Sequence, residues 1–276
     1  MLSLQRHLLY ILLDSNLPTG GFVSSSGLES YAKHVPPSAK RSTADNVIHF
    51  VESEMDNFAS TTCPFVCDGW RILDTGVQVP QETLTSGLHT KVQEMLREIT
   101  TLDRYHESTL LSVVGRRASK AQGVALLTLF TRSLCSITDD RRRNGELLSR
   151  LVVEEYKRSI RRCTTPGHLA VCWGVIMSAL GLDLGTSLHL YLFLHCRSVL
   201  SSAVRLNLVG PYASTRLLLL LQGAIDRCVV STLNSTTTSP VNDMIHDNAT
   251  APSTTWPLGE ILLARHDMQH SRIFNS

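Results

Sequence analysis

Two pairs of residues in this chain have the spacing that offers a metal two ligands from one helical face: His266 with His270, and Cys63 with Cys67. No further Cys or His pair follows at zinc-site distance. A buried thiol pair and a solvated imidazole pair on a terminal helix therefore stand beside the metal reading. The segment Gly20-Gly21-Phe22-Val23-Ser24-Ser25-Ser26-Gly27 has the glycine and serine content of a phosphate-cradling loop. It lacks the Gly-Lys-Ser/Thr ending that reaches the β- and γ-phosphates and holds Mg²⁺, and no Gly-x-Ser-x-Gly nucleophile elbow occurs anywhere. Glu154-Glu155 reads as a solvated helix face, and Arg141–Arg143 and Arg161-Arg162 read as helix-end charges that would also suit an acidic partner. Arg205 and Asn207 place polar groups in an apolar neighbourhood near the end of a long helix, where such groups need partners. No catalytic constellation emerges, which points to an interaction protein.

The elements that must position these residues are helical. The chain has 276 residues, 43% of them hydrophobic and 18% charged, enough to bury a substantial core. A formal net charge of +2 argues against a dedicated nucleic-acid binder, and 6% aromatics are too few for a stacking platform. Seven scattered cysteines do not form a disulfide framework and suit a reducing cytoplasm, so the sequons at Asn234 and Asn248 read as chance matches. The most apolar run, Leu169 to Leu182, is too short to span a bilayer, and the Leu-rich start carries no cleavage site. Apolar residues recur with helical spacing nearly everywhere, and no alternating strand pattern is sustained. The fold class is all-α: a single helical-bundle-like domain of about ten helices. Ser42-Thr43 offers an N-cap for a helix from Asp45 to Phe58, residues 74–89 read as loop, and Gly210-Pro211 interrupts the long helix that begins at Leu184. Pro18, Gly20 and Gly21 predict a tight elbow after the first helix, with at least one glycine at positive φ.

One stretch departs from this pattern. Residues 231–256 are rich in Ser, Thr, Asn and Pro and read as a low-complexity flexible loop between a domain over 1–230 and a C-terminal helix and tail over 257–276. The tail, thus isolated, is expected to be mobile until a partner orders it. Arg265, His266, Asp267 and Arg272 would supply polar contacts there and Phe274 an apolar anchor.

Four blocks resemble the UreF family of urease accessory proteins. The first runs from Leu12 through Pro18-Thr19-Gly20-Gly21-Phe22 to Ser26-Gly27-Leu28-Glu29, the second from Arg116 to Gly123, the third from Tyr191 to Pro211, and the fourth from Ala264 to Phe274. They occur in family order over nearly the whole chain; the departures are residues 74–89 and the 231–255 insertion. The resemblance implies an all-helical, dimeric, non-enzymatic protein that binds a UreD/UreH-type partner. That complex would recruit the UreG-type GTPase and dock on apo-urease so that nickel reaches the active site. It implies an assembly scaffold and GTPase regulator that binds no cofactor stably and touches nickel only in transit, with no role for nucleic acid or membrane. It also places the partner-binding end at the tail. Two alternatives stay open at this level. A strict GTPase activator needs a donor such as Arg116, Arg117, Arg205 or Gln122 in trans, and a direct nickel metallochaperone needs His266, His270 or the Cys63/Cys67 pair.

Overall fold

The computed structural model describes residues 2–21, 24–35, 42–77, 81–135, 143–235 and 252–274. Among these, every regular element is helical. In chain order they are α1 (Leu2–Leu12), α2 (Leu28–His34), α3 (Thr43–Val77), α4 (Gln81–Thr109), α5 (Val113–Leu129), α6 (Arg143–Arg161), α7 (Leu169–Ala179), α8 (Leu184–Arg205), α9 (Pro211–Leu220), α10 (Gln222–Ser235) and α11 (Pro257–Ala264). A π-helical turn, Phe130–Leu134, extends α5, and a 3₁₀ turn, Arg265–Met268, extends α11. Local chemistry starts several of them. Asp45 N–H donates to Ser42 Oγ (3.1 Å) and Ser42 N–H donates back to Asp45 Oδ2 (3.1 Å), a reciprocal cap on α3. Asp183 Oδ1 accepts from Thr186 N–H (2.8 Å) at the head of α8.

The core is built around α7. Ala170 through Met177 are all buried, as a helix that is apolar on every side must be. It lies against α3, α5, α6 and α8. Its closest neighbour is α3: a Cβ on Gly174 would sit 2.2 Å from the Val66 carbonyl oxygen, so only glycine lets the two backbones meet. Five cysteines (Cys63, Cys67, Cys172, Cys196 and Cys228) are buried as small apolar groups, and all seven are free thiols. Among the described residues no single helix is long and apolar enough to cross a membrane.

Three boundaries differ from the sequence reading. Residues 74–77 continue α3 and 81–89 already belong to α4, so most of the expected loop at 74–89 is helix. Gly76, which reads as a breaker, is a packing position on which the Met95 side chain rests. Tertiary contact overrides the roughly 1 kcal/mol helix cost of a glycine. Ser231–Ser235 extend α10 into the stretch expected to be a loop, with Thr232 buried. At its other end Asn57 Oδ1 accepts from Thr254 Oγ1 (2.8 Å), Thr255 N–H (3.0 Å) and Trp256 N–H (3.1 Å), which pins the chain to α3. Residues 236–251 lie outside the described residues.

Candidate functional site

The elbow after α1 turns at Gly20, whose φ of 75° is as expected. It is fastened to α8: Ser198 Oγ donates to the Gly21 carbonyl (3.0 Å), Ser202 Oγ to the Ser24 carbonyl (3.2 Å), and Arg197 to the Leu13 carbonyl. Pro18 is exposed on the outer side of this turn, and Phe22 lies outside the described residues. The chain enters α2 through Gly27 at φ 84°, where a Cβ would stand 3.3 Å from the Leu263 backbone nitrogen. The backbone of α11 therefore lies directly on the start of α2.

Glu29, two residues further, is the centre of the arrangement. Its carboxylate is fully buried. It accepts from Ile273 N–H (2.9 Å), Phe274 N–H (3.2 Å) and Lys33 Nζ (3.0 Å). Burial alone would raise its pKa, but these donors outweigh burial and hold it below the ordinary value of 4.5. The Phe274 ring is buried, with the Arg205 guanidinium 4.4 Å above its centroid. His266, also buried, donates from Nε2 to the Phe274 carbonyl (3.0 Å), which fixes its tautomer. Arg117 on α5 grips Asp267 with both terminal nitrogens (3.0 Å each), and Arg272 Nη1 adds a third bond at 2.8 Å. Lys33 also reaches Gln269 Oε1 (2.8 Å) and the Ser271 carbonyl.

The tail is thus not a free segment, as its polar tether suggested. Pro257–Phe274 form a strap docked on α2, α5 and α8, because a buried carboxylate, an arginine fork and an aromatic anchor together offset the entropy of ordering it. Two further expectations are corrected. His266 and His270 do not share a helical face, since the 3₁₀ turn stops at Met268 and Gln269 is extended, leaving His266 buried and His270 exposed. Asn207 is exposed at φ 57° and ends α8: its N–H donates to the Val204 carbonyl and Leu208 N–H to the Ala203 carbonyl (3.0 Å each). Its apolar surroundings reflect helix termination rather than a buried polar contact. Cys63 and Cys67 face the core, where burial pushes the Cys63 thiol well above its usual pKa. Among the described residues no three His, Cys, Asp or Glu side chains cluster as metal ligands.

Beneath the strap lies a cavity of about 390 Å³ between the elbow, α3, α5, α8 and α11. Its walls are largely apolar, with one acidic corner made by Glu54 of α3 and Glu260 of α11. Burial pushes the Glu54 carboxyl up, opposed by His195 Nε2 at 3.5 Å, while the His195 ring stacks on Phe58 at 3.7 Å. Gln122 of the second sequence block also lines this space, beside Gly21.

A polar network with no local signature in the sequence reaches the cavity wall at Ser119. Asp103, fully buried on α4, accepts from Thr165 Oγ1 (2.6 Å), Gly167 N–H (2.6 Å) and His168 N–H (2.9 Å). His168 Nε2 meets Glu107 Oε2 at 2.6 Å and Nδ1 meets Ser119 Oγ at 3.1 Å. Burial lowers the His168 pKa, so a neutral ring accepts from the Ser119 hydroxyl and donates to Glu107. Ser119 Oγ also accepts from Leu169 N–H (3.1 Å), one of the orphan donors at the head of α7. Although its composition is Ser, His and Glu, this chain caps a helix and ties α4 and α5 to α7. Its residues are separated by up to 65 positions, so no local pattern announces them. Glu154 and Glu155 pair with Arg150 and Arg158 along α6, the solvated face expected of them.

All four sequence blocks meet around α2: the elbow, α5 through Arg117 and Gln122, the C-terminal half of α8, and the strap. The fold and this site define an all-helical protein whose distinctive residues hold an ordered C-terminal segment against the domain. The UreF family profile matches residues 42–222. The chain is 47% identical to "Urease accessory protein 6" of Cryptococcus neoformans var. grubii, across 98% of this chain and 96% of that protein. It is 26% identical to an "Uncharacterized urease accessory protein UreF-like" of Schizosaccharomyces pombe, across 99% and 97%. With "Urease accessory protein F" of Arabidopsis thaliana it shares 32% identity, across 74% and 70%. The chain belongs to the UreF family of urease accessory proteins.

Proposed function

We propose that this chain serves urease maturation as a non-catalytic scaffold. In this reading it joins a UreD/UreH-type protein, recruits and regulates a UreG-type GTPase, and helps deliver nickel to apo-urease in the cytoplasm. The observation that carries the reading is the two-sidedness of the strap. Its inner side is spent on Glu29, Arg205 and Arg117, while its outer side exposes Leu258, Ile261, Met268 and Ile273 by 46%, 56%, 81% and 63%. Apolar side chains held outward on a fastened segment form a ready docking surface. Asp267, His266, Phe274 and Arg205 then act by holding the strap in place, and the exposed Arg265 and Arg272 supply its polar rim. Exposed Tyr212, Leu219 and Leu220 on α9 are the apolar surface best suited to a homodimer contact. The strict-activator alternative has less support, since Arg117 is already held by Asp267 and Gln122 faces the cavity.

Co-expression with apo-urease, a UreD/UreH-type protein and a UreG-type GTPase tests this. The full chain is expected to co-purify with both accessory proteins and to give nickel-dependent urease activity. A chain ending at residue 256 should lose the UreD/UreH-type protein and the activity. Retention of both by the shortened chain would overturn the reading.

A further inference from the structure

We infer that the internal cavity is a binding site for an organic ammonium ion, its charge seated in the Glu54–Glu260 corner and its apolar body against the walls. The inference goes beyond the scaffold reading and does not depend on it. Glu54 is only 9% exposed. Among the described residues no lysine or arginine pairs with it. It meets His195, whose Nε2 stands 3.5 Å away and makes no hydrogen bond. Glu260 brings a second carboxylate to the same corner, where Asn57 Nδ2 donates to one of its oxygens (3.2 Å). A buried carboxylate without a good donor is costly, and one that faces a cavity points to a ligand that supplies the missing charge. Burial pushes the Glu54 carboxyl up against the pull of His195, and Glu260 adds to the rise, as befits a corner short of a cation. Arg197, the one lysine or arginine among the described wall residues, lies near Asp14 and donates to the Leu13 carbonyl, so it does not serve this corner. Entry is at the elbow, where exposed Asp14 and Ser15 line the cavity, and needs no movement of the strap. Leu17, Phe58, Leu126, Trp173 and Leu194 contribute apolar wall, which favours a hydrocarbon body over a hydrated inorganic ion. A second unpaired group fixes the length of the ligand. His106 on α4 lines the same cavity at 1% exposure, and its Nδ1 has no hydrogen-bond partner. His195 stacks on Phe58, and His106 packs on Phe65 two turns further along α3, so roughly 10 Å separates the two imidazoles. Burial and neighbouring His168 keep the His106 ring neutral, ready to pair with a hydroxyl. An arylethylammonium ion with a hydroxyl at the far end of its ring spans the two ends.

Calorimetry on the full chain tests this with three probes. They are tyramine, its neutral analogue 2-(4-hydroxyphenyl)ethanol, and phenethylamine, which lacks the phenol. Tyramine is expected to bind with a Kd of about 0.1 mM, in keeping with about ten heavy atoms in an enclosed pocket. The neutral alcohol should bind about tenfold more weakly for want of the charge, and phenethylamine about fivefold more weakly for want of the hydroxyl. Glu54→Gln keeps the shape of the corner and should weaken tyramine about tenfold while leaving the alcohol unchanged. Glu260→Gln, which retains an acceptor for Asn57, is the second variant should Glu54→Gln not fold. Absence of tyramine binding to the parent chain would overturn the inference. Equal affinity for tyramine and the alcohol, or tyramine binding untouched by both variants, would overturn it equally, because the acidic corner would then not seat a cation. Phenethylamine binding as tightly as tyramine would overturn the part assigned to His106.

Discussion

Replacing Asp103 with Ala is expected to lower the free energy of unfolding by about 4 kcal/mol. The carboxylate is buried and satisfies three donors at once, the Thr165 hydroxyl and the amides of Gly167 and His168. Truncation strands all three, at about 1–3 kcal/mol for each buried donor left unmade, with some recovered by water entering the space vacated. Those donors hold the turn that delivers His168 and Leu169 to the head of α7, so the effect spreads to the central helix. For a chain of this size that loss corresponds to a fall in Tm of about 10 °C. Glu154→Ala, which removes only a solvent-accessible i,i+4 pair with Arg150 on α6, should change stability by no more than about 0.5 kcal/mol and serves as the control. Chemical denaturation of the two variants decides the matter. A loss below about 1 kcal/mol for Asp103→Ala would mean that the turn is held by other contacts.

The second large effect lies at Glu29. Glu29→Gln keeps the shape but removes the charge that draws in the Ile273 and Phe274 amides and Lys33, and should cost about 2 kcal/mol at pH 7. The pH dependence has a definite sign. Because the folded pKa lies below 4.5, the carboxylate's contribution is fully present above that value and is lost as pH falls through the depressed pKa. The protonated acid is nearly isosteric with glutamine. Melting curves of the two proteins should therefore differ steadily from pH 8 down to about 5 and converge in stronger acid. A gap that stayed constant into acid would show that the charge of Glu29 does not hold the strap.

Much of the architecture was legible in the sequence because it depends on local signals. The apolar run from Leu169 to Leu182 contains the buried α7, Ser42-Thr43 announces a helix start, and Gly20 announces a turn that needs positive φ. What was not legible depends on partners distant in the chain. Gly76 looks like a breaker until Met95 of α4 is seen to pack on it. The tail looks detached because its tether is polar, yet the group that fastens it, Glu29, lies more than two hundred residues earlier. Glu29 did stand out within the first sequence block, but as a motif position without a role. Asp103 and His168 sit in unremarkable surroundings, and only the folded backbone reveals that one carboxylate serves the turn before α7. Asn207 stood out for its polarity, and the structure gives it the different task of ending α8 in a left-handed conformation.

The most direct test of the scaffold reading changes the outer side of the strap and leaves its inner side intact. The double variant Ile261→Arg/Ile273→Arg alters two side chains exposed by 56% and 63%, so its Tm should stay within about 2 °C of the parent. Its affinity for a purified UreD/UreH-type protein, measured by calorimetry beside the parent chain, should fall about 100-fold, the effect of losing two apolar anchors at the centre of an interface. Equal affinity for the two chains would contradict the account and place the partner elsewhere on the protein.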